Sequence, residues 1–168
     1  GAMERLVELL ESESAISEPE GEHGSLPDPL RGEINIINLR FCYPSRPEIF
    51  ALNEFNLTIR SGESLALVGS SGAGKSTLID LILRFYDPQT GCVTLDNVDI
   101  KTLRPEVLRR HMAVVSQQPA LFTGTVLENI RYSRPEASEE EVSLAAKNAF
   151  AEEFIAQLPE GFQSHLGE

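Results

Sequence analysis

Between Gly69 and Ser76 the chain reads Gly69-Ser70-Ser71-Gly72-Ala73-Gly74-Lys75-Ser76, which fits the pattern G-x-x-x-x-G-K-[ST]. These residue types at this spacing suit one kind of chemistry, the holding of a string of negatively charged phosphates without a covalent bond. Glycines let the backbone curl so that successive N–H groups point at phosphate oxygens. A helix starting near Lys75 adds the positive end of its dipole at the same spot. Lys75 can reach the outer phosphates, and the Ser76 hydroxyl can ligate Mg²⁺. Thr77 is one step further along and can offer a hydroxyl to the inner phosphates. A chance glycine-rich turn with a surface lysine is the competing reading, and the flanking sequence disfavours it.

Those flanks are the elements that must position the loop. Ser64 to Val68 is a short apolar run between Gly62 and Gly69, the size of a buried strand. Leu78, Ile79, Leu81, Ile82 and Phe85 follow at helical spacing, so a strand, a glycine loop and a helix are expected in that order. The helix should stop near Asp87-Pro88, because proline disfavours helical geometry in the residue before it. Upstream, Ile34 to Phe41 is a strand candidate with a bulge at Ile36-Ile37, and Asn53 to Ile59 alternates Phe55, Leu57 and Ile59. Downstream, Cys92 to Leu95 is a strand and Asp96-Asn97 a tight turn. Leu103, Val107 and Leu108 indicate a short helix before an apolar strand, Ala113-Val114-Val115. Ser116-Gln117-Gln118-Pro119 lies just past that strand, a position that faces the ligand crevice in open α/β sheets. From Thr125 onward the pattern is helical. Ser138 and Glu141 form a capping box, Val142, Ala145, Ala146 and Ala149 line one face, and Phe154, Ile155 and Leu158 mark a last helix before Pro159.

With 168 residues the chain has room for one domain, and its net charge is −12. Nine acidic residues against Arg5 and Arg31 fall between Glu4 and Glu33, and this balance argues against a nucleic-acid partner. No apolar run approaches the roughly 18 residues of a membrane helix, and the acidic N-terminal region is unlike a signal peptide. Cys42 and Cys92 lack metal-ligand spacing and read as small apolar residues in a reducing compartment. Residues 1–3 look like a cloning remnant. Glu4 to Glu11 forms a short amphipathic pattern with Leu6, Val7, Leu9 and Leu10, and Ser12 to Leu30 reads as a mobile linker.

Together these features resemble the N-terminal half of an ATP-binding cassette, the motor domain of ABC transporters, and most of all the cassettes of exporters. The likeness covers about Gly32 to Glu168. It implies an α/β P-loop NTPase (RecA-like) core at about residues 32–118, with an antiparallel β subdomain, and the start of the helical subdomain at about 119–168. It implies Mg-ATP as ligand, bound by Gly69, Ser70, Ser71, Gly72, Ala73, Gly74, Lys75, Ser76 and Thr77. In the family an aromatic residue upstream stacks on adenine, and Tyr43 in FCYPSRP occupies that place, a ring face being suited to a base. Ala51 stands where a valine is frequent, which implies looser packing beside the nucleotide. Gln117 in VVSQQPALF matches the Q-loop glutamine that meets Mg²⁺ or the attacking water, with Gln118 as its neighbouring rival, so Ser76 and Gln117 are the implied Mg²⁺ ligands. TGTVLENI resembles the opening of the helical subdomain that docks on membrane helices. Residues 4–31 resemble the tail of a last transmembrane helix followed by a linker.

Two departures matter. Asp96-Asn97 replaces the usual Asp-Gly, and Asn also tolerates left-handed geometry. Among these 168 residues there is also no Leu-Ser-Gly-Gly-Gln signature, no Mg²⁺-aspartate and catalytic-glutamate strand, and no switch histidine. His23, His111 and His165 read as surface side chains. The likeness therefore implies a parent transporter at the cytoplasmic face of a membrane, with a transmembrane domain and a second cassette as partners. ATP binding is expected here, but not turnover. An uncovered apolar strand edge is expected too, with marginal stability or self-association. The alternatives are a nucleotide-binding module that never turns over, or a soluble P-loop kinase or GTPase.

Overall fold

The computed structural model describes residues 23–167 together with Arg5, Ile16 and Pro19. The amphipathic pattern at Glu4 to Glu11 otherwise lies outside the described residues. The chain divides into two compact units, Gly1–Ala113 and Val114–Glu168.

The first unit is built on a four-stranded antiparallel sheet. Its strands are β1 (Ile34–Cys42), β2 (Phe50–Ile59), β3 (Thr90–Leu95) and β4 (Val98–Asp99), in the spatial order β2-β1-β3-β4. Strand β1 pairs Ile36 with Leu57 of β2 and with Val93 of β3. A regular strand would send Ile36 and Leu39 to opposite faces, since side chains alternate. Both are buried on the core side, at 2% and 0% exposure. A bulge makes this possible. The register shifts between Ile36 and Leu39, and Asn38 takes φ 46. Strand β2 behaves similarly, with Glu54 at φ 52 between buried Leu52 and half-buried Phe55. Opposite the first bulge the backbones come so close that a Cβ on Gly91 would lie 2.4 Å from the Ile37 carbonyl oxygen. Asp96 and Asn97, at φ 48 and 66, form the turn of the β3–β4 hairpin, as the sequence leads one to expect.

Helix α1 (Lys75–Ile82) packs Leu78 and Leu81 into the core with Ile36, Leu39, Phe41, Leu52, Val93 and Leu95. It ends earlier than Asp87-Pro88. Leu83 is its C-cap and Arg84 adopts φ 52. The Arg84 N–H then donates to the Leu81 carbonyl at 3.1 Å and the Phe85 N–H to the Asp80 carbonyl at 2.8 Å, a Schellman ending. An arginine in this left-handed position is unusual, and burial of its side chain explains it. The Arg84 guanidinium donates to the carbonyls of Leu103 at 2.6 Å and Ile100 at 3.3 Å, and lies 3.2 Å from Asp87. Arg109, from the short helix α2 (Pro105–Arg109), donates to the Leu83 and Arg84 carbonyls. Leu103 and Leu108 are fully buried beside it, while Val107 faces outward.

Two expected strands are not formed. Ser64 to Val68 and Ala113 to Val115 belong to no sheet among the described residues. Val68 is 90% exposed and Val115 98%. A strand is made by its ladder of hydrogen bonds to a neighbour. An apolar run without that neighbour stays irregular however strand-like its composition.

The second unit holds a two-stranded pairing of β5 (Gly124–Thr125) with β6 (His165–Leu166) and three helices, α3 (Val126–Arg131), α4 (Glu139–Asn148) and α5 (Glu152–Ala156). Val126, Ala146 and Ile155 form its small core, with Ile130, Ala151, Leu158, Phe162 and Leu166 packed around them. Helices α3 and α4 both start with complete capping boxes, Thr125 with Glu128 and Ser138 with Glu141. Of the four residues expected on the inner face of α4, only Val142 and Ala146 are buried; Ala145 and Ala149 are exposed.

Candidate phosphate-binding site

The loop from Gly69 ends at Gly74, the N-cap of α1, whose φ of 85 lies in the left-handed region. A Cβ there would stand 2.8 Å from the Ala51 carbonyl oxygen and 2.9 Å from Leu52. Both the backbone angle and the contact with β2 therefore demand glycine. This close approach presses the start of α1 against the sheet, and the first turn of the helix has neither a side-chain cap nor an acidic residue. Its leading N–H groups thus carry partial positive charge toward the loop. The Lys75 ammonium is drawn back over the same loop, donating to the carbonyls of Gly69 at 2.8 Å and Ser70 at 2.7 Å. Another loop turn is closed by the Ala73 N–H donating to the Ser70 carbonyl.

A cleft of about 430 Å³ opens in front of these groups. One wall is Ser71 to Thr77; the other is Tyr43, Arg46, Ile49, Phe50 and Ala51. Arg46 and Lys75 make the cleft locally cationic in a chain of net charge −12. Lysine and helix amides on one wall, with an aromatic and aliphatic wall that carries Arg46 facing them, suit a ligand with an anionic tail and a flat apolar head. The Tyr43 ring meets Phe41 edge-on at 4.9 Å between centroids and Tyr86 at 5.3 Å. Burial pushes the Tyr43 hydroxyl pKa up; the hydrogen bond to Thr77 opposes that shift and the nearby Asp80 carboxylate adds to it.

The structure thus brings together Tyr43, Ala51 and the loop from Ser71 to Thr77, with Gly69 and Ser70 tied in through Lys75. Thr77 is placed differently from the simplest expectation. It is buried, and its hydroxyl lies 2.9 Å from the Tyr43 hydroxyl. Ser76 is exposed on the first turn of α1. Gln117 and Gln118 stand in an exposed bend of the second unit. Arg46, Ile49 and Phe50 were not singled out from the sequence. The only available signal was their place between Tyr43 and Ala51.

The fit to a polyphosphate rests on the loop end that glycine alone accommodates at Gly74, the uncapped helix start and the lysine. Among the described residues no three His, Cys, Asp or Glu side chains converge on a metal site. The exposed Ser76 hydroxyl, the Mg²⁺ ligand that the sequence leads one to expect, stands in the wall of the cleft. Among the described residues no helix is long and apolar enough to cross a membrane.

Comparison with known proteins agrees with this geometry. The family model of the ABC transporter matches residues 52–166. ABC transporter B family member 13 of Arabidopsis thaliana is 45% identical over 167 residues, 99% of this chain and 13% of that protein. ABC transporter B family member 4 of Dictyostelium discoideum is 45% identical over 168 residues, all of this chain and 22% of that protein. The chain therefore spans a small part of the length of these relatives. Among solved structures, a bacterial Atm1-family ABC exporter with ATP bound covers 99% of this chain and 28% of its own, with a TM-score of 0.86 and 34% identity. Joined to a loop whose Gly72 and Gly74 take left-handed backbone angles at the start of a helix, these likenesses place the chain in the ABC transporter family, with part of that family's nucleotide-binding-domain fold.

Proposed function

We propose that this chain is the ATP-binding part of the motor domain of an exporter, working at the cytoplasmic face of a membrane beside a transmembrane domain and a second cassette. One observation carries the reading: Gly74, left-handed and pressed on β2, presents an uncapped helix start beside Lys75. The loop amides and Lys75 bind the phosphate tail, and Tyr43 stacks on the base. Bound Mg²⁺ would neutralise charge on the phosphate oxygens, with the Ser76 hydroxyl holding it. Hydrolysis further requires a positioned, deprotonated water. The 168 residues contain no Leu-Ser-Gly-Gly-Gln signature loop, and in this reading they bind ATP without turning it over.

Equilibrium binding of a fluorescent ATP analogue tests the first half. Saturable binding that weakens roughly tenfold or more in Lys75→Ala is expected, since a hydrogen bond to a charged group is lost. Equal binding by the variant, or a strong preference for GTP, would contradict it. Phosphate release with Mg²⁺ tests the second half, and turnover that Lys75→Ala abolishes would overturn it.

A further inference from the structure

The Tyr43 hydroxyl has two partners, and both lie on α1. It donates to the Asp80 carboxylate at 3.2 Å and lies 2.9 Å from the Thr77 hydroxyl. Thr77 and Asp80 are three residues apart, so the helix sets them on one face. A phenol carries one hydrogen, and a carboxylate only accepts. With the Tyr43 hydrogen given to Asp80, the hydrogen between Tyr43 and Thr77 must come from Thr77. The three groups therefore form a directed chain from Thr77 through Tyr43 to Asp80. It consumes the Thr77 hydrogen in the same helical turn that faces the phosphate loop. Phe41 and Tyr86 hold the ring edge-on, but edge contacts alone allow the ring to slide and swing at its tip. The hydroxyl supplies the fixed point there.

The geometry points to Asp80 as a positioning residue for the base-binding half of the cleft, acting through the Tyr43 hydroxyl. Asp80 itself is not among the residues lining the cleft. It fixes where the ring face stands and which way the Thr77 hydrogen points, and so links base recognition to the phosphate loop. This inference rests on the nucleotide reading above, and the test separates the two. Inorganic tripolyphosphate reports the loop alone; ATP reports loop and ring together. The ratio of their affinities isolates what the ring contributes.

Titration calorimetry of the full chain with Mg-ATP and with Mg-tripolyphosphate supplies that ratio. In Asp80→Ala the ratio should fall roughly two- to tenfold, the range of one net hydrogen bond. Tyr43→Phe, which keeps the ring and loses the hydroxyl, should lower it similarly. The double variant should fall no further than Tyr43→Phe alone, because Asp80 acts through the group already removed. A ratio unchanged in Asp80→Ala, or single effects that add in the double variant, would overturn the assignment. Absence of tripolyphosphate binding by the unsubstituted chain would instead remove the phosphate-loop reading, and this one with it.

Discussion

The antiparallel sheet of the first unit and the apolar runs at Ser64 to Val68 and Ala113 to Val115 have similar compositions and opposite fates. Ile36, Leu39, Phe41, Val93 and Leu95 are buried within a few per cent of completely, whereas Val68 and Val115 are almost wholly exposed. Intrinsic preference does not separate them, since both are rich in aliphatic residues. The difference is partnership. Strand β1 finds β2 across a short connection and β3 across a long one, and β3 closes a hairpin with β4. Ser64 to Val68 and Ala113 to Val115 have no ladder neighbour among the described residues. A β pattern in sequence is thus a statement about capacity, and pairing decides whether it is used.

The sharpest way to break this contrast is to damage both sides equally. Leu81→Ala, at a fully buried position, should cost about 3–5 kcal/mol in urea unfolding through lost contacts and a cavity. Val115→Ser should cost no more than about 0.5 kcal/mol. A large loss from Val115→Ser would mean that this run is packed in solution. Next in size is Arg84→Leu, which leaves the Ile100 and Leu103 carbonyls without this donor inside the core. A loss of about 2–4 kcal/mol is expected in the same assay, and a neutral result would deny that Arg84 explains the early end of α1.

Gly74→Ala should lower stability by about 1–3 kcal/mol through its backbone angle and the clash with Ala51, and should weaken nucleotide binding as well. Binding at full strength would sever the loop from the sheet. Smaller still, Ser138→Ala should cost about 1 kcal/mol by removing a helix cap in the second unit. The capping glutamates add a pH signature. The backbone N–H of Thr125 and that of Ser138 hold the Glu128 and Glu141 carboxyls below the ordinary glutamate value of 4.5. A depressed pKa in the folded state means stability that is complete above the ordinary value and lost as pH falls below it. Glu141→Gln should therefore flatten the acid side of the melting curve against pH. An unchanged slope would contradict the cap.

The smallest expected effect on stability carries a separate readout. Exposed Leu65, Leu67, Val68, Val114 and Val115 are a hazard for association. Sedimentation should show the chain self-associating, and Val115→Lys should reduce it; a monodisperse monomer would refute this.

How much of this was legible beforehand follows the same line. The phosphate loop, the bulge in β1, the Asp96-Asn97 turn and the Ser138 cap are local features whose residues carry their own instructions. The end of α1 was misjudged because Pro88 is a visible stop, whereas Arg84 stops the helix only through carbonyls supplied by Ile100 and Leu103. The two unformed strands were misjudged because periodicity records what a segment can bury and not what lies beside it. At the site, the cradle at Gly74 could be read from its motif, but the pairing of Thr77 with Tyr43 could not. It depends on the strand end and the helix face meeting in space. Gln117 rests on resemblance alone.

The central claim is that main-chain amides at the start of α1, together with Lys75, grip a polyphosphate. Amide proton and nitrogen shifts recorded while Mg-ATP is titrated into the chain test it most directly. Large shifts confined to Gly72, Gly74, Lys75, Ser76 and their neighbours, absent in Lys75→Ala, are the expected result. Shifts that spare these amides, or saturable binding that moves others instead, would contradict it.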